Sequence, residues 1–172
     1  MGGVRKCLKI NILREYNIKY TEHKIGEEAL YSFQVLWFAK SVAFIDKALY
    51  NYVQRGDSQS HLKMDDPWGG VAVALKEKVK SLGIYEQFAT TINAFFLTAS
   101  AVSANCLASN YPWNEYRAKV RSCKTHLDDA LDKQYAIDKP NMSIKARVLG
   151  WLLQHELYGA IWLLSKMKNL IS

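Results

Sequence analysis

The chain has 172 residues, 49% of them hydrophobic and 23% charged, a globular balance that excludes disorder and allows one or two small domains. Its net charge of +7 and pI of about 9.3 direct it toward anionic partners, whether phosphates, nucleic acid or an anionic membrane face. Three widely spaced cysteines, Cys7, Cys106 and Cys123, with no Cys-x-x-Cys pair, exclude a disulfide framework and a cysteine zinc site and fit a reducing compartment.

In chain order, Val4, Leu8, Ile12 and Leu13 stand among basic residues at near-helical spacing, and Asn17 to Tyr20 reads as an extended exit. A helix is expected from about Gly26, burying Leu30, Phe33, Leu36 and Trp37. Ser41 to Ile45 is β-rich and continuously apolar, which predicts a buried strand. Asp46 and Lys47 make a turn. Ala48 to Gln54 then alternates, with Leu49 and Val53 on one face and Tyr50 and Tyr52 on the other, before the polar turn Gly56 to His61.

Beyond Ser60 the pattern changes to long helices. Asp66 before Pro67 is a start signal. Trp68, Val71, Leu75, Val79 and Leu82 form one stripe, which Gly83 ends. A second helix over 85–107, with Phe88, Ile92, Phe95, Phe96, Ala99 and Val102, is apolar and rich in small residues, the composition of a central bundle helix. A third covers 113–133 through Tyr116, Val120, Cys123, Leu127 and Leu131. Lys139-Pro140-Asn141 interrupts, and Ser143 caps a fourth helix running to about Leu170. The expected fold is α+β and predominantly α: a small α/β segment over 1–62, followed by a bundle of about four helices over 63–172. The bundle core is predicted around Trp68, Leu75, Phe88, Ile92, Phe95, Val120, Leu127, Leu152 and Trp162. Met1 to Lys6 lacks the apolar run of a signal peptide. Val148 to Leu164 is interrupted by Gln154, His155 and Glu156, so no segment is expected to span a bilayer, and a soluble or peripheral cytoplasmic protein is expected.

Few residues point to chemistry. His155-Glu156 begins like H-E-x-x-H, but Gly159 stands where the second histidine belongs, so no metalloprotease site is read there. Asp65-Asp66 is explained by helix capping, and Asp128-Asp129 by a solvated helix face. Glu27 and Glu28 open a helix, where the macrodipole and free N–H groups favour negative side chains, whether for capping or for catalysis. Arg55, Ser58 and His61 follow a strand pattern; Arg55 reads as an edge residue or a phosphate clamp, and Ser58 as a turn former or a ligand.

Gly26-Glu27-Glu28-Ala29-Leu30-Tyr31, then Leu49-Tyr50-Asn51-Tyr52-Val53-Gln54-Arg55, then Ser58, agree in order and spacing with one known pattern. They resemble the acceptor-side half of bacterial family-2 glycosyltransferases of GT-A type, over about residues 4 to 61. That resemblance implies an inverting transferase that moves a sugar from a nucleotide diphosphate to a hydroxyl acceptor, in surface polysaccharide or glycan synthesis. It implies that Glu28 is the general base, with Glu27 beside it, where the family usually has Asp at the second position. It also implies that Arg55, Ser58 and His61 lie beside the donor diphosphate and acceptor, with His61 holding phosphate or a metal ion. The family's nucleotide-binding half and its Asp-x-Asp motif are not in this sequence. No metal site is therefore expected in this chain, activity from the chain alone is not expected, and Mg or Mn is expected only in the full-length enzyme. The partners implied are a nucleotide sugar and a glycan acceptor. The C-terminal helix, with Trp162, Lys166 and Lys168, is either a core helix or a peripheral contact with the inner face of the membrane. Two other readings are a non-enzymatic helical interaction module and a basic nucleic-acid-binding protein. The scattered basic residues argue against the second.

Overall fold

A computed structural model of the chain describes residues 7–20, 27–47, 66 and 68–171. It contains two compact units, Met1–Leu62 and Lys63–Ser172. The described residues are predominantly helical, and none of them lies in a strand.

In the first unit, α1 (Ile10–Glu15) is followed by α2 (Glu27–Phe38). Asn17 ends α1 in the left-handed region, at φ 48°. Its N–H donates to the Arg14 carbonyl at 3.4 Å, and the Ile18 N–H donates to the Leu13 carbonyl at 2.9 Å. This is a Schellman cap, for which Asn is the best residue after Gly. The cap turns Ile18 into a small core with Tyr31 and Val35, flanked by Leu8, Ile12, Leu13, Tyr16 and Phe38. Tyr16 stacks on Phe38 at 3.9 Å and Tyr20 on Tyr31 at 4.1 Å. The buried face of α2 is Leu30, Tyr31, Gln34 and Val35, whereas Leu36 and Trp37 are exposed. The expected face is corrected by about one residue, because Ile18 and its neighbours pack on the Tyr31–Val35 side. Gln34 enters this face with its amide satisfied by the Leu30 carbonyl, 3.3 Å away.

The buried strand expected over Ser41 to Ile45 is also corrected. This segment is irregular and exposed, with Phe44 88% accessible. A strand satisfies its backbone only through neighbours, and the described residues offer none, so no α/β segment is seen among them. The alternating Ala48 to Gln54 lies outside the described residues.

The second unit comprises α3 (Gly69–Ser81), α4 (Tyr85–Asn110), α5 (Trp113–Ala130), a 3-10 turn (Lys139–Asn141), α6 (Ile144–Gln154) and α7 (Tyr158–Ile171). α4 packs against the four other helices. Alanines line it on several sides (Ala89, Ala94, Ala99, Ala101, Ala104 and Ala108), and their small volume lets neighbours approach. α6 packs tightly on it at Gly150, where a Cβ would lie 2.8 Å from Leu97 Cγ. α4 is long and apolar enough to cross a membrane, unlike the sequence expectation, but 61% of its apolar window is buried in the bundle. It is a core helix of this unit.

Gly83, at φ 69°, ends α3 as expected. Its N–H donates to the Lys80 carbonyl and the Ile84 N–H to the Val79 carbonyl, another Schellman pair. Ser143 Oγ accepts from the Ala146 N–H at 3.2 Å, the N-cap expected for α6. The single helix expected over 143–170 is instead two, broken at His155 to Leu157. Glu156 has φ 56°, its N–H donates to the Leu153 carbonyl, and the Leu157 N–H donates to the Leu152 carbonyl. Glu156 thus occupies the position that Gly and Asn fill elsewhere, and L side chains are strained there. Glu156→Gly is expected to stabilise the bundle by about 0.5–1 kcal/mol, read as a raised urea midpoint with an unchanged slope. A lowered midpoint would mean that the Glu156 side chain makes a compensating contact.

The exit of α5 is held by a polar hub. Asn93, buried in α4, donates from Nδ2 to the carbonyls of Asp132 and Tyr135, both at 2.9 Å, and its Oδ1 accepts from the Asp132 N–H at 3.0 Å. Lys76 Nζ donates to the Ala130 carbonyl at 2.7 Å, satisfying the C-terminus of α5 with a cation. Of the predicted core, Leu75, Ile92, Val120, Leu127 and Leu152 are buried. Trp68, Phe88, Phe95 and Trp162 are only partly so, and Phe96 takes the place expected for Phe95.

Candidate functional site

Glu27 and Glu28 form the first turn of α2, and Glu28 is half-buried. The side chain of Glu27, together with Arg55, Ser58 and His61, lies outside the described residues. The structure therefore brings the two glutamates together on one helical turn and leaves the phosphate-side residues without a described position.

The second unit carries a cleft that sequence reading missed. Lys119, Ser122, Cys123 and His126 recur along α5 at helical spacing and line, with Ala118 and Asp66, a cavity of about 340 Å3. Asp66 is held by two bonds to one oxygen. Its Oδ1 accepts from the Gly69 N–H at 3.0 Å and from the buried Ser103 hydroxyl at 2.8 Å. A Cβ on residue 69 would stand 1.9 Å from Asp66 Oδ2, so this contact requires glycine there. The expected start of α3 is corrected: its N-cap is Trp68, not Asp66, and has no side-chain cap bond, while Asp66 reaches forward to the N–H of Gly69, the first helical residue, and ties α3 to α4 through Ser103.

A cysteine, a histidine and a carboxylate on one cleft resemble the parts of a nucleophilic site, but the electrostatics oppose that chemistry. Burial, reinforced by the Asp66 carboxylate, pushes the Cys123 thiol up to about 12. The thiol lies 3.6 Å from the Ser100 carbonyl, as a donor. A nucleophilic cysteine needs its thiolate near neutral pH, and here the neutral form is favoured. Among the described residues no three His, Cys, Asp or Glu side chains converge to hold a metal.

Cys123 and Tyr85 carry a consequence for stability. Burial, then the hydrogen bond to Asp132, pushes Tyr85 up to about 12 from its ordinary 10.0. The folded state keeps both protons where the unfolded chain has begun to release them, at about 9 for the thiol and 10 for the phenol. Stability is therefore full below pH 9 and falls as pH rises toward 12. Urea midpoints measured between about pH 8 and pH 11 should decline, and Cys123→Ala and Tyr85→Phe should each flatten that decline. Unchanged slopes in both variants would show that other groups carry it.

Comparison with protein-family models, with curated proteins and with solved structures gave no match.

Proposed function

We propose that this chain is the acceptor-side part of an inverting family-2 glycosyltransferase, followed by a helical bundle. The observation that carries the reading is the ordered set Gly26-Glu27-Glu28 and, downstream, Leu49-Tyr50-Asn51-Tyr52 to Arg55 and Ser58. It is supported by the start of α2 at Glu27. The exposed apolar run Val42 to Ile45 also supports it, since strand-like residues of this kind are covered in a larger sheet.

In this reading the Glu28 carboxylate takes the proton of the acceptor hydroxyl as that oxygen attacks the anomeric carbon. The bond from that carbon to the donor diphosphate breaks, and the diphosphate leaves with the electron pair. The helix N-terminus favours the ionised carboxylate that this step needs. Arg55 neutralises the leaving diphosphate, with Ser58 and His61 beside it. No step in this reading is routed through a metal. A divalent cation belongs to a nucleotide-binding half. Nucleotide sugar and glycan acceptor meet on the cytoplasmic side.

The test joins the chain to the coding sequence upstream of Met1 and supplies labelled nucleotide sugars with Mg2+ or Mn2+. An in-frame Asp-x-Asp segment and transfer of label to a glycan support the reading. An upstream frame without that motif, or one with it that turns over no nucleotide sugar, overturns it. The chain alone is expected to release no nucleoside diphosphate.

A further inference from the structure

The outward sides of α6 and α7 are apolar. On α6, Ile144, Val148 and Trp151 recur at four and three residues, so they share one side of the helix. That side lies opposite the buried Ala146, Leu149, Gly150 and Leu153. Ile144 is 73% exposed and Trp151 51%. On α7, Leu163, Leu164 and Met167 are exposed opposite the buried Tyr158, Ile161 and Ser165. The two helices pack against each other and against α4. An ordinary surface helix places its charges where these two place leucine, isoleucine and tryptophan.

The two charged residues beside the α6 stripe are both basic. Lys145 and Arg147, both exposed, flank the α6 stripe on its two sides. Between Ser143 and Ser172 the sequence holds Lys145, Arg147, Lys166 and Lys168 against the single carboxylate Glu156. Trp151 sits within the stripe with His155 packed on its ring, centroids 4.6 Å apart.

We infer that this face lies on an anionic membrane surface, with α6 and α7 parallel to the bilayer plane. Apolar side chains would enter the boundary between headgroups and acyl chains, the indole would take the interfacial level it favours, and Lys145 and Arg147 would reach lipid phosphates. Charge decides between this occupant and a second copy of the chain. A two-fold self-association through the same face would set the Lys145 and Arg147 of one copy against those of the other, whereas an anionic bilayer matches them. The inference stands independently of the glycosyltransferase reading, since it uses only the second unit.

The experiment is sedimentation of the whole chain with phosphatidylcholine vesicles and with vesicles that also contain phosphatidylglycerol, at rising salt. Binding is expected to the anionic vesicles only, to weaken with salt, and to blue-shift tryptophan emission. Lys145→Gln and Arg147→Gln should each weaken it roughly fivefold. Val148→Ser with Trp151→Ser should abolish both the binding and the shift. These side chains are exposed, so the urea midpoint of each variant should stay near wild type and show that the fold is intact. Absence of anionic binding, or binding that survives the serine pair, overturns the inference. So does a wild-type dimer that the serine pair dissociates, which would assign the face to a second copy.

Discussion

In an active enzyme containing this chain, Glu28→Gln is expected to lower kcat by roughly two to four orders of magnitude, the range for losing a general base. Gln keeps the size of the side chain and the start of α2 and removes only the proton acceptor. Loss of one negative charge from the first helical turn costs about 0.3–1 kcal/mol of stability, which is too little to unfold the protein and mimic the kinetic effect. The donor KM should hardly change, because in the proposed mechanism the group acts on the acceptor hydroxyl. Glu27→Gln should lower kcat less. Steady-state kinetics at saturating acceptor checks all three statements. Equal losses, or a larger loss at Glu27, would move the base by one residue, and no loss at either would remove the proposed mechanism.

Phe96→Ala is expected to destabilise the second unit by about 3–5 kcal/mol, a large part of a typical domain's stability. Phe96 is 3% exposed on the helix that touches the four other α-helices of this unit, and Lys76 Nζ lies 5.6 Å from its ring centroid. Removing the ring takes contacts from α3 and α4 together, and a packed interior collapses only partly into such a space. Phe95→Ala should cost clearly less, since Phe95 is only partly buried. Lys124→Ala is the comparison for a small truncation, with 13% of the Lys124 side chain exposed. Lys124 pairs with Asp128 one turn on, an arrangement worth about 0.3–0.5 kcal/mol. Urea unfolding of the three variants orders them. If Phe96→Ala is as mild as Lys124→Ala, α4 is not the centre of the unit.

Local chemistry was enough to determine several elements from the sequence alone. Gly83 ends α3 because glycine meets the left-handed φ of a Schellman cap without strain. Ser143 starts α6 because a short hydroxyl side chain reaches the free N–H of residue 146. Tyr116, Val120, Cys123 and Leu127 repeat at helical spacing on an otherwise polar helix, and all four are buried. The apolar, alanine-rich span of α4 was likewise legible as a central helix, since only burial on several sides suits such a surface. The two carboxylates at the start of α2 were legible in the same local way.

Other features depended on which surfaces meet. Phe95 and Phe96 are adjacent and chemically identical, so only the direction of approach of the neighbouring helices decides which is buried. The buried face of α2 was turned by the packing of Ile18, which a left-handed Asn17 delivers from the preceding turn. The break between α6 and α7 falls on Glu156, a residue with no preference for positive φ. Packing of both helices against α4 imposes that corner and carries its strain. Ser41 to Ile45 has the composition of a strand, but pairing is a property of two segments, and none of the described residues supplies the second. The cleft beside Cys123 joins Asp66 to residues more than fifty positions away on α5. Each of its side chains has an ordinary local explanation, and only the fold buries that thiol and adds a carboxylate beside it, which together keep it protonated.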